Sequence, residues 1–434
     1  MKFGGTSVGS ASRIKNVAEL IVARGKNIIV LSAMSGTTNT LVEICDYLSK
    51  GNVSGAMEVI NQLESKYSGV ISELYSKEAS VKEAQEKIGN IFKHLRNLAA
   101  QPFTSKLEKE VIGQGELMST NLMVIYLHET GVNAKMLPAL DFMKIDAAGE
   151  PDNTYIRNNI HPLLEKNSDA DIYITQGFIC RNKDGEIDNL QRGGSDYTAS
   201  LIGAAIDAEE IEIWTDIDGM HNNDPRFVND TAPVAELHFE EAAELAYFGA
   251  KILHPTCVLP AKLNNIPVRL LNTMQPVAKG TVIYNCSANR CIKAVAAKDN
   301  ITALKIKSSR MLLAHGFLRR VFEVFETYKT PIDMITTSEV GVSVTIDNTR
   351  NLHNILDELK KLGTVTVDSD MTIICVVGDL EWHNCGFETK VLDAMGDIPV
   401  RMISYGGSNY NISILVKSSD KIRALNSLQS YLFK

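Results

Sequence analysis

The run Asn27–Ala33, NIIVLSA, is short, unbroken in its apolar character and rich in β-branched residues. That is the pattern of a strand buried on both faces of a parallel sheet. A helical stretch, Ala11–Arg24, precedes it. Residues 40–110 lack strand signals and carry apolar residues at three- and four-residue steps, as in Met57, Ile60 and Leu63, which predicts a helical insertion after the second strand. Strand-like runs return at Ala134–Leu137, Ile172–Gln176 and Ile211–Thr215, with a helix predicted over Ser195–Ile206 and another over Phe239–Phe248. Strands alternating with helices predict a mostly parallel sheet covered on both faces, with ligands at the carboxyl ends of its strands.

Around Cys286–Asp299 the pattern turns loop-like, and a second domain is expected to begin. It contains an internal repeat. Pro331-Ile332-Asp333-Met334-Ile335 matches Pro399-Val400-Arg401-Met402-Ile403, 68 positions later, and Val342-Ser343-Val344 matches Ile412-Ser413-Ile414, 70 positions later. Each copy follows a helical stretch (Phe317–Tyr328; Lys390–Met395) and reads strand, tight turn, strand. Two small βαββ-type units are implied.

Composition changes this picture little. A chain of 434 residues should hold several domains. A formal charge of -8 disfavours a general nucleic-acid binder, which needs a basic stripe. No run approaches the roughly 20 apolar residues that span a bilayer, and the chain opens on no charged-then-apolar leader. The seven cysteines form no C-x-x-C pair, so reduced thiols in a cytoplasm are expected, and no metal site built from them.

Five loops could carry chemistry. In Lys2-Phe3-Gly4-Gly5-Thr6-Ser7, glycines let backbone N–H groups approach an anion, hydroxyls add donors, and Lys2 projects from the end of the first strand. A plain strand–turn–helix junction would read the same way. Gln191-Arg192-Gly193-Gly194-Ser195-Asp196 repeats that grammar, with an arginine able to grip a carboxylate or phosphate through two hydrogen bonds. Trp214-Thr215-Asp216-Ile217-Asp218-Gly219, running on to Asp224-Pro225-Arg226, ends a strand in an acidic loop suited to a ribose or Mg²⁺, or to a simple turn. Glu116, after Gly113-Gln114-Gly115, could receive an ammonium or cap a helix, and the Ser32–Asn39 loop is small and polar after a strand.

Taken in order, Lys2–Ser7, Leu31-Ser32-Ala33 with Thr38-Asn39, Gly115-Glu116, Thr175-Gln176-Gly177-Phe178, Gly193–Asp196, Trp214-Thr215-Asp216 with Asp224-Pro225-Arg226, and Phe248-Gly249-Ala250-Lys251 with His254-Pro255 resemble the aspartate kinases of the amino-acid kinase superfamily. The resemblance implies an α/β fold: an amino-acid-kinase-type, mostly parallel sheet sandwiched by helices over residues 1–290, with the helical insertion at about 40–110. Two α+β, ACT-like regulatory units of βαββ type would follow over 298–434, at about 305–372 and 373–434, with the strand near 298–308 able to pair with the second unit.

It also implies phosphoryl transfer from MgATP, the metal held mainly by the nucleotide, to the β-carboxylate of L-aspartate. Lys2 would lie along the transferring group, with Gly4, Gly5 and Ser7 cradling it and Asp196 orienting Lys2. Arg192 would hold the α-carboxylate with Ser195 and Thr38, Glu116 the ammonium; Ser32, Phe178, Gly193 and Gly194 would complete the pocket. Thr215, Asp216, Arg226 and Lys251 would hold the nucleotide. The tail resembles lysine-sensitive members, implying an effector, L-lysine, at Met311, Phe317, Leu318, Ile332, Asp333, Ser338 and Glu339, and a homodimer or tetramer built through the ACT-like units. Asp333 and Glu339 would take the amines; the plainer reading of the bare residues is solvated turn charge. A relative acting on another carboxylate, and a catalytically silent amino-acid sensor, are the alternatives.

Overall fold

A computed structural model of the chain describes residues 1–190, 193–249, 255–286, 291–308 and 315–434. It divides into two units, Met1–Met220 with Ile252–Asn285, and His221–Lys251 with Cys286–Lys434.

In the first unit, β1 (Lys2–Phe3), β2 (Asn27–Leu31), β3 (Ala134–Met136), β4 (Ile172–Gln176), β5 (Ile211–Thr215), β6 (Val268–Asn272) and β7 (Thr281–Tyr284) form a sheet in the order β3-β4-β2-β1-β5-β6-β7. Every pairing is parallel except β6 with β7. The run Ile172–Gln176 is buried throughout, its polar Thr175 and Gln176 included, as a strand covered on both faces requires. α1 (Ala11–Ala23) is started by Ser10, whose hydroxyl accepts the Arg13 N–H.

The segment between β2 and β3 is helical: α2 (Thr37–Ser49), α3 (Val53–Leu74), α4 (Glu78–Ala99), α5 (Ser105–Ile112) and α6 (Gln114–Glu129). α3 buries a stripe of Ile60, Leu63, Tyr67, Ile71 and Leu74, and α4 buries Ala84, Ile88, Phe92 and Leu95. The rings of Tyr67 and Phe92 meet edge to face at 5.9 Å. α6 differs in being buried nearly all round, with Glu116 in its first turn. α7 (Asn153–Lys166) and α8 (Gly194–Ala205) follow; α8 begins one residue before the predicted start, and Ser195 and Asp196 both lie in its first turn.

In the second unit, α9 (Phe239–Tyr247) precedes a six-stranded antiparallel sheet. Its strands are β8 (Ile292–Lys307), β9 (Ile335–Ser338), β10 (Gly341–Ile346), β11 (Thr364–Gly378), β12 (Met402–Tyr405) and β13 (Asn411–Lys417), in the order β9-β10-β8-β11-β13-β12. The helices are α10 (Phe317–Thr327), α11 (Leu352–Lys360), α12 (Phe387–Ala394) and α13 (Lys421–Leu432). The repeat is present as α10-β9-β10 and α12-β12-β13, each over its own apolar core. Leu304, Val321, Phe325 and Val344 form one core; Ile374, Val391, Ile414 and Leu425 form the other. The loop expected over Cys286–Asp299 is corrected: from Ile292 it is strand, poorly signalled because small alanines alternate with few large apolar residues. No described helix is long and apolar enough to cross a membrane.

Trp214 on β5 is fully buried, stacks on Phe3 of β1 at 5.7 Å between ring centroids, and donates its indole N–H to Glu212 at 2.8 Å. Arg24 donates to the other Glu212 oxygen at 2.8 Å. Trp214→Ala should lower the stability of this unit by about 3–5 kcal/mol, read by circular dichroism as a drop in the urea midpoint. A midpoint equal to that of the unsubstituted protein would show that the Phe3–Trp214 stack does not hold the two strands.

Candidate active site

β1 contributes only two residues, yet both are fixed from either side: Lys2 is registered against Val30 of β2 and Ile213 of β5. The Lys2 ammonium reaches Asp196 at 2.6 Å, with the two side chains only 11% and 14% exposed. Asp196 sits in the first turn of α8, where the helix end favours negative charge. The loop after β1 is tied down by backbone contacts. The Gly4 amide, expected to cradle a phosphate, donates instead to the Trp214 carbonyl at 3.2 Å, because it continues the β1–β5 ladder. Gly5 accepts from the Ser35 amide at 3.1 Å, and Thr6 accepts from the Arg13 guanidinium at 2.7 Å. The buried Ser7 hydroxyl shares a 2.7 Å hydrogen bond with Thr273.

Lys2, Ser32, Thr38, Glu116, Phe178, Gly193, Gly194, Ser195 and Asp196 line one cavity of about 250 Å³. Five separate stretches of chain thus meet at the carboxyl ends of β1, β2 and β4. Glu116 is 4% exposed. Its Oε1 accepts the Ala33 N–H at 3.2 Å, and its Oε2 is buried without a hydrogen-bond partner among the described residues. Burial pushes its pKa up to about 8, against the pull of the Ala33 N–H. Glu116 lines the cavity, so a cation bound there would relieve the cost of its buried, unsatisfied oxygen.

Phe178 holds a positive φ of 69°, unusual for a bulky residue. The conformation is locked by its N–H on the Thr198 hydroxyl at 3.0 Å and by the Leu190 N–H on its carbonyl at 2.8 Å. Its loop nests against the start of α8. A Cβ on Gly177 would lie 2.4 Å from the Ser195 hydroxyl, and one on Gly194 would lie 2.5 Å from the Phe178 ring. The glycines at both places permit this approach.

Several supporting residues carried no sequence signal. Ser119 donates to the Ser32 carbonyl at 2.8 Å, and Lys66 donates to the Ser35 carbonyl at 2.9 Å. Tyr67 shares a 3.1 Å hydrogen bond with Thr37. The helical insertion thereby braces the Ser32–Thr38 loop from outside. Only the buried positions of Tyr67 and Ser119 on α3 and α6 mark them, and burial is not legible residue by residue.

Of the residues expected at a nucleotide, Thr215 ends β5, donates its hydroxyl to Asp216 at 3.1 Å and accepts the Thr273 N–H at 2.8 Å; Asp216 is exposed. In the second unit, exposed Arg226 grips Asp224 with bonds of 2.9 and 2.6 Å. Burial acts to raise the Asp224 pKa, but these bonds outweigh it and hold the carboxyl below its ordinary range. Arg192, Lys251 and Met311 lie outside the described residues. Among the described residues, no three His, Cys, Asp or Glu side chains gather as a metal cluster.

Of the residues expected at an effector, Phe317 and Leu318 open α10, Ile332 and Asp333 lie between α10 and β9, and Ser338 and Glu339 are exposed at the β9–β10 turn. Asp333 departs from the picture of a solvated turn charge. Its side chain is 2% exposed and pairs with Lys298 at 2.6 Å.

Comparison with known proteins identifies the family. Residues 1–272 match the amino acid kinase family, and 374–432 match the ACT domain. The chain is 33% identical over 446 aligned residues to lysine-sensitive aspartokinase 3 of Escherichia coli (strain K12), covering 100% of this chain and 98% of that protein. Its structure is similar to that of E. coli aspartokinase III in complex with aspartate and ADP, an R-state, with a TM-score of 0.85 at 33% identity, covering 100% and 99% of the two chains. Similarity to the T-state of the same enzyme in complex with lysine and aspartate gives a TM-score of 0.83 at 34% identity, with the same coverage. The chain belongs to the aspartokinases, within the amino acid kinase family.

Proposed function

We propose that this protein is an aspartate kinase, transferring the γ-phosphoryl group of ATP to the β-carboxylate of L-aspartate to give 4-phospho-L-aspartate and ADP. The observation that carries the reading is the cavity itself: a buried lysine–aspartate pair on one wall and a buried carboxyl with an unsatisfied oxygen on another. A small molecule bearing both an ammonium and a carboxylate satisfies both. The substrate carboxylate is already ionised near neutral pH, so no general base is required. Two like-charged groups must instead be aligned and their repulsion cancelled.

Lys2 supplies that cancellation, oriented by Asp196, while Gly5 and Ser7 shape the loop around the phosphates and Gly4 fixes that loop to β5. Glu116 receives the substrate ammonium. Arg192, Ser195 and Thr38 hold the α-carboxylate, and Ser32, Phe178, Gly193 and Gly194 wall the pocket. Thr215, Asp216, Arg226 and Lys251 hold the nucleotide, whose Mg²⁺ is bound mainly by its own phosphates. On this reading residues 1–290 are catalytic and 298–434 regulatory. The regulatory part takes L-lysine as inhibitor, around Phe317, Leu318, Asp333 and Glu339, and joins the chains as a homodimer in the cytoplasm.

Incubated with ATP, Mg²⁺ and L-aspartate, the protein should form an acyl phosphate that hydroxylamine traps as a hydroxamate, and added L-lysine should suppress it. No hydroxamate from aspartate sinks the reading. Lys2→Ala should lower kcat by about 10²–10³-fold and leave the KM for aspartate within a few-fold; equal losses in both would remove Lys2 from the transition state.

Glu116 must be ionised to take an ammonium, and its pKa is pushed up to about 8. Aspartate affinity should therefore weaken as pH falls below about 8, by about tenfold per unit well below it. Glu116→Gln should abolish that limb and weaken aspartate about tenfold or more. An unchanged pH profile in the variant would place the ammonium elsewhere.

A further inference from the structure

The carboxylate assigned above to the effector's amine already holds an amine. Lys298, on β8, places its ammonium 2.6 Å from Asp333 and 3.0 Å from Asp347. Tyr247, the last residue of α9, donates its hydroxyl to the same Asp333 oxygen at 3.1 Å, and its ring lies 4.4 Å from the Lys298 ammonium. The other Asp333 oxygen is buried with no hydrogen-bond partner among the described residues. Asp333 is nearly inaccessible, whereas Asp347 is 37% exposed.

We propose that these residues form an ammonium subsite filled from within: Lys298 occupies the place of the effector's amine on Asp333, and an amino-acid effector binds by displacing it toward Asp347. The inference rests on the reading of Asp333 as an effector residue.

The chemistry is that of exchange between two primary ammonium groups on one desolvated carboxylate. Taking the internal cation away without replacement leaves a buried charge unpaired, which is costly. An incoming amine of the same class removes that cost, and Asp347 keeps the displaced Lys298 ammonium paired, so exchange isolates no charge. The unpartnered Asp333 oxygen adds acceptor capacity that the internal pair leaves unused. The displacement also reaches α9. Tyr247 loses its share of the Lys298–Asp333 pair, and it stands four positions before Lys251, in the segment assigned to the nucleotide. Between them, Gly249 sits so close to β8 that a Cβ there would be 2.2 Å from the Ala297 carbonyl, next to Lys298 in the chain. Tyr247 and Gly249 are thus both seated on β8 at Ala297 and Lys298.

Calorimetric titration of the full-length protein with L-lysine tests the exchange. Lys298→Met removes the competitor and should tighten lysine binding by about tenfold; Lys298→Arg should stay near the original affinity. Asp333→Asn should lose lysine binding. If Asp333→Asn still binds lysine as before, the effector reading fails and the inference with it. If Asp333→Asn loses binding while Lys298→Met binds no tighter, the effector reading stands and the internal competitor is refuted. Should Lys298→Met fail to fold, Tyr247→Phe, which removes one hydroxyl from the same grip, should tighten binding by a smaller factor; unchanged or weaker binding there overturns the proposal.

Discussion

The catalytic unit is organised around one nearly buried ion pair, Lys2 with Asp196 at 2.6 Å. Neither charge is supported by sequence neighbours. Lys2 comes from a two-residue strand and Asp196 from the first turn of a helix almost two hundred residues later. Moving either one leaves the other desolvated and alone, an error of about 3–5 kcal/mol. The surrounding structure therefore has to keep β1 and the start of α8 in fixed relation. The Phe3–Trp214 stack holds β1 against β5, and the nested Gly177–Phe178 and Gly194–Ser195 loops fix the start of α8. The strained backbone of Phe178 belongs to the same demand: it lines the cavity with its ring laid close against Gly194 at the start of α8.

Much of this was legible in the chain. Ile172–Gln176 and Ile211–Thr215 read as strands and are strands at those residues, whereas the runs at Asn27–Ala33 and Ala134–Leu137 leave the sheet early, after Leu31 and Met136. The order of the motifs led to the family, and nine residues named for the substrate pocket and its lysine line one cavity. The departures have physical causes. A glycine amide looks like an anion donor until a neighbouring strand claims it, as Trp214 claims that of Gly4. Ala294, Val295 and Ala296 gave no strand signal because Val295 stands alone between two small alanines; in the fold they pair with Val377, Val376 and Cys375 of β11.

Asp333 is the clearest case of a meaning that sequence does not hold. In sequence it is one acidic residue near a turn. In the fold its partners arrive from β8 and from α9, at distances of 35 and 86 residues along the chain, and Lys298 is shared with Asp347, just beyond β10. Local composition cannot report a pairing assembled over such separations. Long-range contacts of this kind also explain why Thr273 and Tyr67, which brace the Lys2–Ser7 and Ser32–Thr38 loops, stood out by no motif.

The two regulatory repeats are not beads on a string. β8 and β11 run antiparallel through both, from Ile292 against Gly378 to Lys307 against Thr364, each bending at one residue of positive φ, Asn300 and Asp370. The duplication visible in the sequence has therefore become a single ribbon on which two cores are mounted. Its parts share one hydrogen-bonded spine, so neither copy can drift, be lost or be exchanged by recombination without unpairing the other. Such a fusion constrains how these domains can evolve: the two halves can diverge in their surfaces and cores, but their connecting strands must change together.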